Sequence, residues 1–367
     1  MTTIPLMKKT ALLSALIIAM TLVGTCCISP AWAGSPDAQQ CIDSGDLFFA
    51  KGEYDTAQQL YKKALLIDPD NYDAWMGLGM TFSWQDQESQ AADAFIVATE
   101  LRPEKIRPLV DLALSYNTME NTTENITVLY ERAITLQPEE NDAADYYLLG
   151  VAYGELGQYQ EALDSIAVAR ALKPSESLYY SVGIDYAGDS GDYEGAIAIA
   201  RNATTQFPKT PRYYNSIAWW IAQKNTFDAD EALTAVDMAL SLPGGRVPYI
   251  IDTKGYIYLV TDRPAEAIPF FEEALKTGGD SDGDILTHAG DAQYALGRYD
   301  EAAASYSSAV TLDSDYIDTW RGVMKTAIAQ GQPDDAQAAA NEILRIDETD
   351  IEAAEFLKSC DLSGQES

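Results

Sequence analysis

Trp75-Met76-Gly77-Leu78-Gly79-Met80-Thr81-Phe82, followed by Ala91, Phe95, Ala98 and Pro103, is the stretch that decides the fold. Trp75, Leu78, Gly79 and Phe82 are spaced by three and four, which lines them along one stripe of a helix. Ala91, Phe95 and Ala98 keep the same spacing and so predict a second helix. Pro103 marks where that helix has stopped, because proline lacks the N–H that a helix interior needs. Ala98 is itself one of a row of eight alanines, Ala64, Ala98, Ala133, Ala169, Ala203, Ala239, Ala274 and Ala309, 34 to 36 residues apart. A fixed period of that length means stacked helix pairs, none of which can bury its apolar face alone.

The rest of the pattern recurs with the alanines. Pro69, Pro138, Pro174 and Pro208 follow them as Pro103 follows Ala98, Pro243 comes one place earlier, and Ala57, Ala162, Ala196, Ala232, Ala267 and Ala302 precede them as Ala91 does. Between the two helices of a unit a short turn often holds glycine, at Gly52, Gly157, Gly191, Gly297 and Gly331. The stretch from His288 through Gly290, Gly297, Tyr299 and Ala302 to Tyr306 and Ala309 repeats the pattern nearly whole. In these residues the chain resembles the tetratricopeptide repeat family almost position for position.

That resemblance implies an all-α fold, a right-handed α-solenoid of stacked helix-turn-helix repeats closed by a C-terminal capping helix. Nine units are expected over residues 38–350, starting near 38, 72, 106, 143, 177, 211, 248, 283 and 317, with a capping helix and tail over 351–367. The third unit has an irregular turn around Asn121 and Asn125, and the sixth has about two extra residues between Asn225 and Asp230. Residues 1–33 read as a secretory signal: Lys8 and Lys9, an apolar run from Ala11 to Val23, then Ala31-Trp32-Ala33 before Gly34. Residues 34–37 form a short linker. The expectation is therefore an exported chain, secreted or at the cell surface, with no membrane span once the signal is cleaved.

With 24 basic residues against 57 acidic ones, the chain carries a net charge of −33. Such a surface repels phosphate backbones and argues against nucleic acid as a partner. Cleavage removes Cys26 and Cys27 and leaves Cys41 and Cys360 at opposite ends of the sequence, so the fold is expected to rest on packing without a disulfide. His288 is the sole histidine and reads as a structural or surface residue. Without a second histidine, a triad or the usual zinc site would lack parts. No catalytic residue, no metal site and no cofactor is assigned. The aspartates Asp280, Asp282 and Asp284 suggest a calcium loop, but Ile285 stands where such a loop needs glycine, and a helix cap is the simpler reading. Sequons at Asn121, Asn125 and Asn202 are candidate glycosylation sites in an exported chain.

In repeats of this family the first helices line a concave groove. The resemblance implies that the groove-facing places hold Trp84, Tyr147, Trp219, Tyr256, Met76 and Met80 beside Asp46, Asp252 and Asp291. Aromatic rings interleaved with acids suit a peptide with apolar anchors and basic or amide neighbours. One branch of the family grips a chaperone's terminal carboxylate with Lys and Asn at the fifth and ninth places. Here those places hold Ile42 and Asp46, then Met76 and Met80, which disfavours that partner. The expected function is a non-enzymatic scaffold binding a protein or peptide in the groove; the rival is a structural protein of the cell envelope or an extracellular assembly.

Overall fold

The computed structural model describes residues 38–119, 123–139 and 141–364. Residues 1–37, expected to hold a signal and a linker, and Asn121 lie outside the described residues. Among the described residues there are nineteen α-helices, one short 3-10 turn at Gly279–Ser281, and no strand. None of these helices is long and apolar enough to cross a membrane.

The chain divides into two compact units, residues 1–190 and 191–367. In unit 1 the helices are α1 (Ala38–Ala50), α2 (Tyr54–Ile67), α3 (Tyr72–Trp84), α4 (Glu88–Leu101), α5 (Ile106–Thr118), α6 (Thr123–Ala133), α7 (Ala143–Glu155), α8 (Tyr159–Leu172) and α9 (Ser177–Asp189). Unit 2 holds α10 (Tyr193–Gln206), α11 (Pro211–Ala222), α12 (Ala229–Ser241), α13 (Pro248–Val260), α14 (Pro264–Lys276), α15 (Gly283–Ala295), α16 (Tyr299–Leu312), α17 (Ile317–Ala329), α18 (Pro333–Ile346) and α19 (Ile351–Gly364). Within each unit consecutive helices pack on one another, and alternate first helices lie side by side, as α11, α13, α15 and α17 do. The fold is that of a tetratricopeptide-repeat solenoid.

The periodic residues explain the packing. All eight alanines of the row are buried, as are Ala57, Ala91, Ala162, Ala196, Ala232, Ala267 and Ala302. A methyl group there lets two helix backbones come close where a longer side chain would hold them apart. The space this leaves is filled by one large residue per second helix: Tyr61, Phe95, Ile166, Phe271 or Tyr306, each at most 2% exposed.

These large side chains press against glycine. A Cβ on Gly45 or Gly77 would come within 2.7 or 2.4 Å of the Tyr61 ring, and one on Gly290 or Gly322 within 2.6 or 2.4 Å of the Tyr306 ring. Each tyrosine is thus held between a first helix of its own repeat and the first helix of the next. Its phenol finds a partner there too, donating at 2.6 Å to Asp46 from Tyr61 and to Asp291 from Tyr306.

Local signals set the helix ends. Asn71, Asp192, Asp228 and Asp282 accept backbone N–H bonds at the starts of α3, α10, α12 and α15, satisfying donors that a helix leaves unpaired. Asp282 spends its carboxylate on the N–H groups of Asp284 and Ile285, the cap reading of the aspartate run. In the turn between paired helices the backbone is left-handed, at Gly52, Gly157 and Gly297 but also at Asp86 (φ 56°) and Asp262 (φ 59°). The indoles of Trp75 and Trp320 are half-buried and donate at 2.8 Å to the carbonyls of Pro69 and Ser314, stapling each helix to the loop before it.

Candidate protein-binding faces

In unit 2, three first helices bring aromatic rings into one column. Trp219 on α11 lies 5.0 Å from Tyr256 on α13, and Tyr256 lies 4.8 Å from His288 on α15, centre to centre. Trp219 and His288 are 6.3 Å apart, and Phe271 of α14 backs the imidazole at 6.1 Å. Trp219 and Tyr256 are half-buried, so part of each ring faces solvent.

Acids surround this column. The His288 Nδ1–H donates to both Asp252 oxygens, at 3.0 and 3.1 Å, with side-chain exposures of 11% and 7% for the pair. Burial works against the charged imidazole, but Asp252, by charge and hydrogen bond, and then Asp284 and Asp291 outweigh it and push His288 up to about 9. The ring is therefore an imidazolium at neutral pH. Burial raises the Asp291 carboxyl, with the Tyr306 hydrogen bond and His288 pulling the other way. Asp284 is raised for the same leading reason, again opposed by His288. On α17, Asp318 pairs with Arg321 at 2.8 Å, and Arg321 reaches on to Asp350 at 2.6 Å.

The unit 1 face has a different composition. Met76 is 5% exposed and belongs to the core, while Met80 is half-buried with an Arg107 Nη2 3.1 Å from its sulfur. The Arg107 Nε also pairs with Asp111 at 3.4 Å, and burial raises that carboxyl against the pull of Arg107. Trp84 sits apart from this group, stacked on Tyr54 at 5.6 Å with Phe49 edge-on at 6.5 Å. Its indole Nε1 is buried without a hydrogen-bond partner.

Several residues expected on the groove therefore meet other fates. Tyr147 is 1% exposed and stacks on Tyr179 at 5.3 Å, which makes it core and leaves no face for a ligand. Asp46 and Asp291 are engaged by the tyrosines beneath them. Trp219, Tyr256 and Asp252 do come together, joined by His288, which in the sequence reads as a structural or surface residue. His288 lies 36 residues after Asp252, about one repeat, and that spacing was the signal available for their contact. Asn125 and Asn202 are exposed on α6 and α10. Among the described residues, no group of three or more His, Cys, Asp or Glu is arranged to hold a metal ion. Among the described residues no disulfide forms; Cys41 is buried and Cys360 half-buried.

Known proteins share this pattern. The TPR repeat pattern matches residues 45–83, and the tetratricopeptide repeat pattern matches residues 146–167, 253–317 and 293–360. A peroxisomal targeting signal receptor of Candida albicans is 34% identical over 81 residues, 22% of this chain and 14% of that protein. A TPR repeat-containing protein of Methanocaldococcus jannaschii is 23% identical over 328 residues, covering 82% of this chain and 57% of that protein. The chain spans less than two thirds of the length of either relative. The APC/C hetero-tetramer Cut9-Hcn1 contains a chain that superposes with a TM-score of 0.52 at 15% identity, over 90% of this chain and 78% of that one. At such identity the likeness is one of fold. With matches falling in both compact units, the chain carries tetratricopeptide repeats on either side of residue 190.

Proposed function

We propose that the protein is a non-enzymatic scaffold that binds a protein or peptide partner along its first helices, with nine repeats over residues 38–350 supplying the groove. The observation that carries this reading is the column of Trp219, Tyr256 and His288, partly open to solvent and bordered by Asp252, Asp284 and Asp291. Half-exposed aromatic rings held rigidly by neighbouring helices are the usual anchors of an interface. A receptor for a targeting signal among the relatives and a Cut9-Hcn1 assembly among the similar folds support a partner of protein nature.

Export belongs to the same proposal and rests on the N-terminal sequence: Lys8 and Lys9, the apolar run to Val23, and Ala31-Trp32-Ala33. N-terminal sequencing of native protein is expected to read from Gly34; a start that keeps Lys8 and Lys9 would overturn it. For the scaffold itself the test is capture of a native partner by the full chain and by a Trp219→Ala, Tyr256→Ala double variant of unchanged helicity. Capture that is undiminished by the double variant would move the site away from this face.

A further inference from the structure

The unit 2 face carries more carboxylates than cations, and the surplus has a definite place. Asp252 is satisfied by His288, and Asp318 by Arg321. Among the described residues Asp284 and Asp291 form no ion pair, and Lys325, whose charge reaches Asp291, is turned toward Glu352 at 3.9 Å. Both carboxyls lie on α15, the helix that also presents His288 to the Tyr256 ring; Asp291 accepts the Tyr306 hydroxyl, but neither is paired with a cation.

The same face already shows what it can hold. The His288 ring sits 4.8 Å from the Tyr256 ring centre, tilted by 44°, with the Asp252 carboxylate on its N–H, so an N–H donor is already held there by an aromatic ring and an acid together. Trp219 and the outer part of Tyr256 offer a second aromatic surface beside it, half open to solvent, and Asp284 and Asp291 are the acids without a cation. An apolar side chain laid there would strip water from two unpaired carboxylates, which costs more than the contact returns. An acidic side chain would be repelled.

We propose that the α11–α13–α15 face takes one basic side chain of its partner, an arginine or lysine laid over the Trp219 and Tyr256 rings with its charge toward Asp284 and Asp291. The proposal rests on the groove reading above and adds the chemistry of the residue that is bound. Arginine fits better than lysine, because a planar guanidinium stacks on a ring while its N–H groups reach a carboxylate. Burial raises the carboxyls of both aspartates, so a cation brought beside them replaces stabilisation that the lost hydration no longer supplies.

The chain has one histidine, which gives the site its own reporter. Three blocked heptapeptides, alike except for a central arginine, glutamine or glutamate, are titrated into the full chain at low salt while the imidazole signals are followed by NMR. The arginine peptide is expected to bind at least tenfold more tightly than the glutamine peptide, to shift the His288 ring signals and to lower the pH at which they titrate; the glutamate peptide is expected not to bind. Asp284→Asn, an exposed change that leaves the Tyr306 hydrogen bond intact, should reduce the arginine preference several-fold, and added salt should do the same in the unaltered chain.

Equal binding of the arginine and glutamine peptides on this face overturns the charge preference and leaves the groove reading standing. Arginine-peptide binding that leaves the His288 signals unmoved places the cation elsewhere and overturns the proposal. Failure of all three peptides overturns it as well. The groove reading falls too only where a native partner ignores the Trp219→Ala, Tyr256→Ala variant.

Discussion

In unit 1 the first-helix face gathers around Arg107, which touches the Met80 sulfur and pairs with Asp111. In unit 2 the equivalent face gathers around His288, set against Asp252 and the rings of Tyr256 and Trp219. Beneath these different surfaces lies the same device, a tyrosine wedged between two glycines and bonded to an aspartate, Tyr61 in one unit and Tyr306 in the other. The repeat fixes what is buried and leaves the exposed face free to differ. A guanidinium does not titrate in the range where an imidazole does, so the two faces should also respond differently to pH.

The largest effects should come from the shared wedge and be alike in both units. Tyr61→Ala and Tyr306→Ala each empty a fully buried site and are expected to cost about 3 to 5 kcal/mol, the usual range for a large aromatic side chain cut to alanine. Tyr→Phe at either place keeps the ring but leaves Asp46 or Asp291 without its donor, for about 1 to 2 kcal/mol. Urea denaturation of the four variants checks both. A cost near zero for either alanine variant would break the equivalence of the units.

His288 should separate them. Its pKa is raised in the folded chain, to about 9 from an ordinary 6.5, so the Asp252 pair stabilises the native state fully below pH 6.5. That contribution, roughly 3 kcal/mol as an upper figure, is lost as pH climbs through about 9. Denaturation midpoints of the unaltered chain should fall over this window, and those of a His288→Gln variant should stay nearly level. The decline should be confined to residues 191–364, which hydrogen exchange resolved along the sequence can establish; an equal decline in unit 1 would refute the assignment to His288.

How far these properties could be read from the sequence follows from how local each one is. The alanine row, the prolines and the turn glycines are short-range constraints, and the first helices start at 38, 72, 106, 143, 177, 211, 248, 283 and 317, where the sequence pattern repeats. The face is less legible, because the fifth place of a first helix, which the resemblance puts on the groove, is buried in repeat after repeat, at Ile42, Met76, Tyr147 and Asp252 alike. What brings His288 against Asp252 is the packing of one first helix on the next, which no single repeat displays. A signal did exist for the aspartates: the spacing of fifteen between Asp46 and Tyr61 recurs between Asp291 and Tyr306, which marks both pairs as bonded.

Binding should follow the exposed difference. Truncating Trp219 or Tyr256 to alanine is expected to weaken a captured partner at least tenfold, about 1.4 kcal/mol, since each removes an open ring. Trp84→Ala should act mainly on stability, because its indole is stacked on Tyr54 with Phe49 edge-on to it. Isothermal titration paired with thermal melts separates the two outcomes. A Trp84 variant that loses affinity while melting normally would reassign the unit 1 anchor to that ring.

The smallest predicted effect tests whether the turns are as equivalent as the wedges. Most turns between paired helices place glycine in the left-handed region, where a side chain is strained, but Asp86 in unit 1 and Asp262 in unit 2 hold φ values of 56° and 59°. An aspartate tolerates that conformation better than most residues, yet it still carries a Cβ that glycine lacks. Asp86→Gly and Asp262→Gly should therefore each stabilise by about 0.5 to 1 kcal/mol, less the greater backbone freedom that glycine gives the unfolded chain. Removing a negative charge from a chain at −33 adds in the same direction, and high salt screens that part away. A gain that survives in high salt identifies backbone strain as the cause. One that vanishes there identifies charge, and the turn would then be no more strained at aspartate than at glycine.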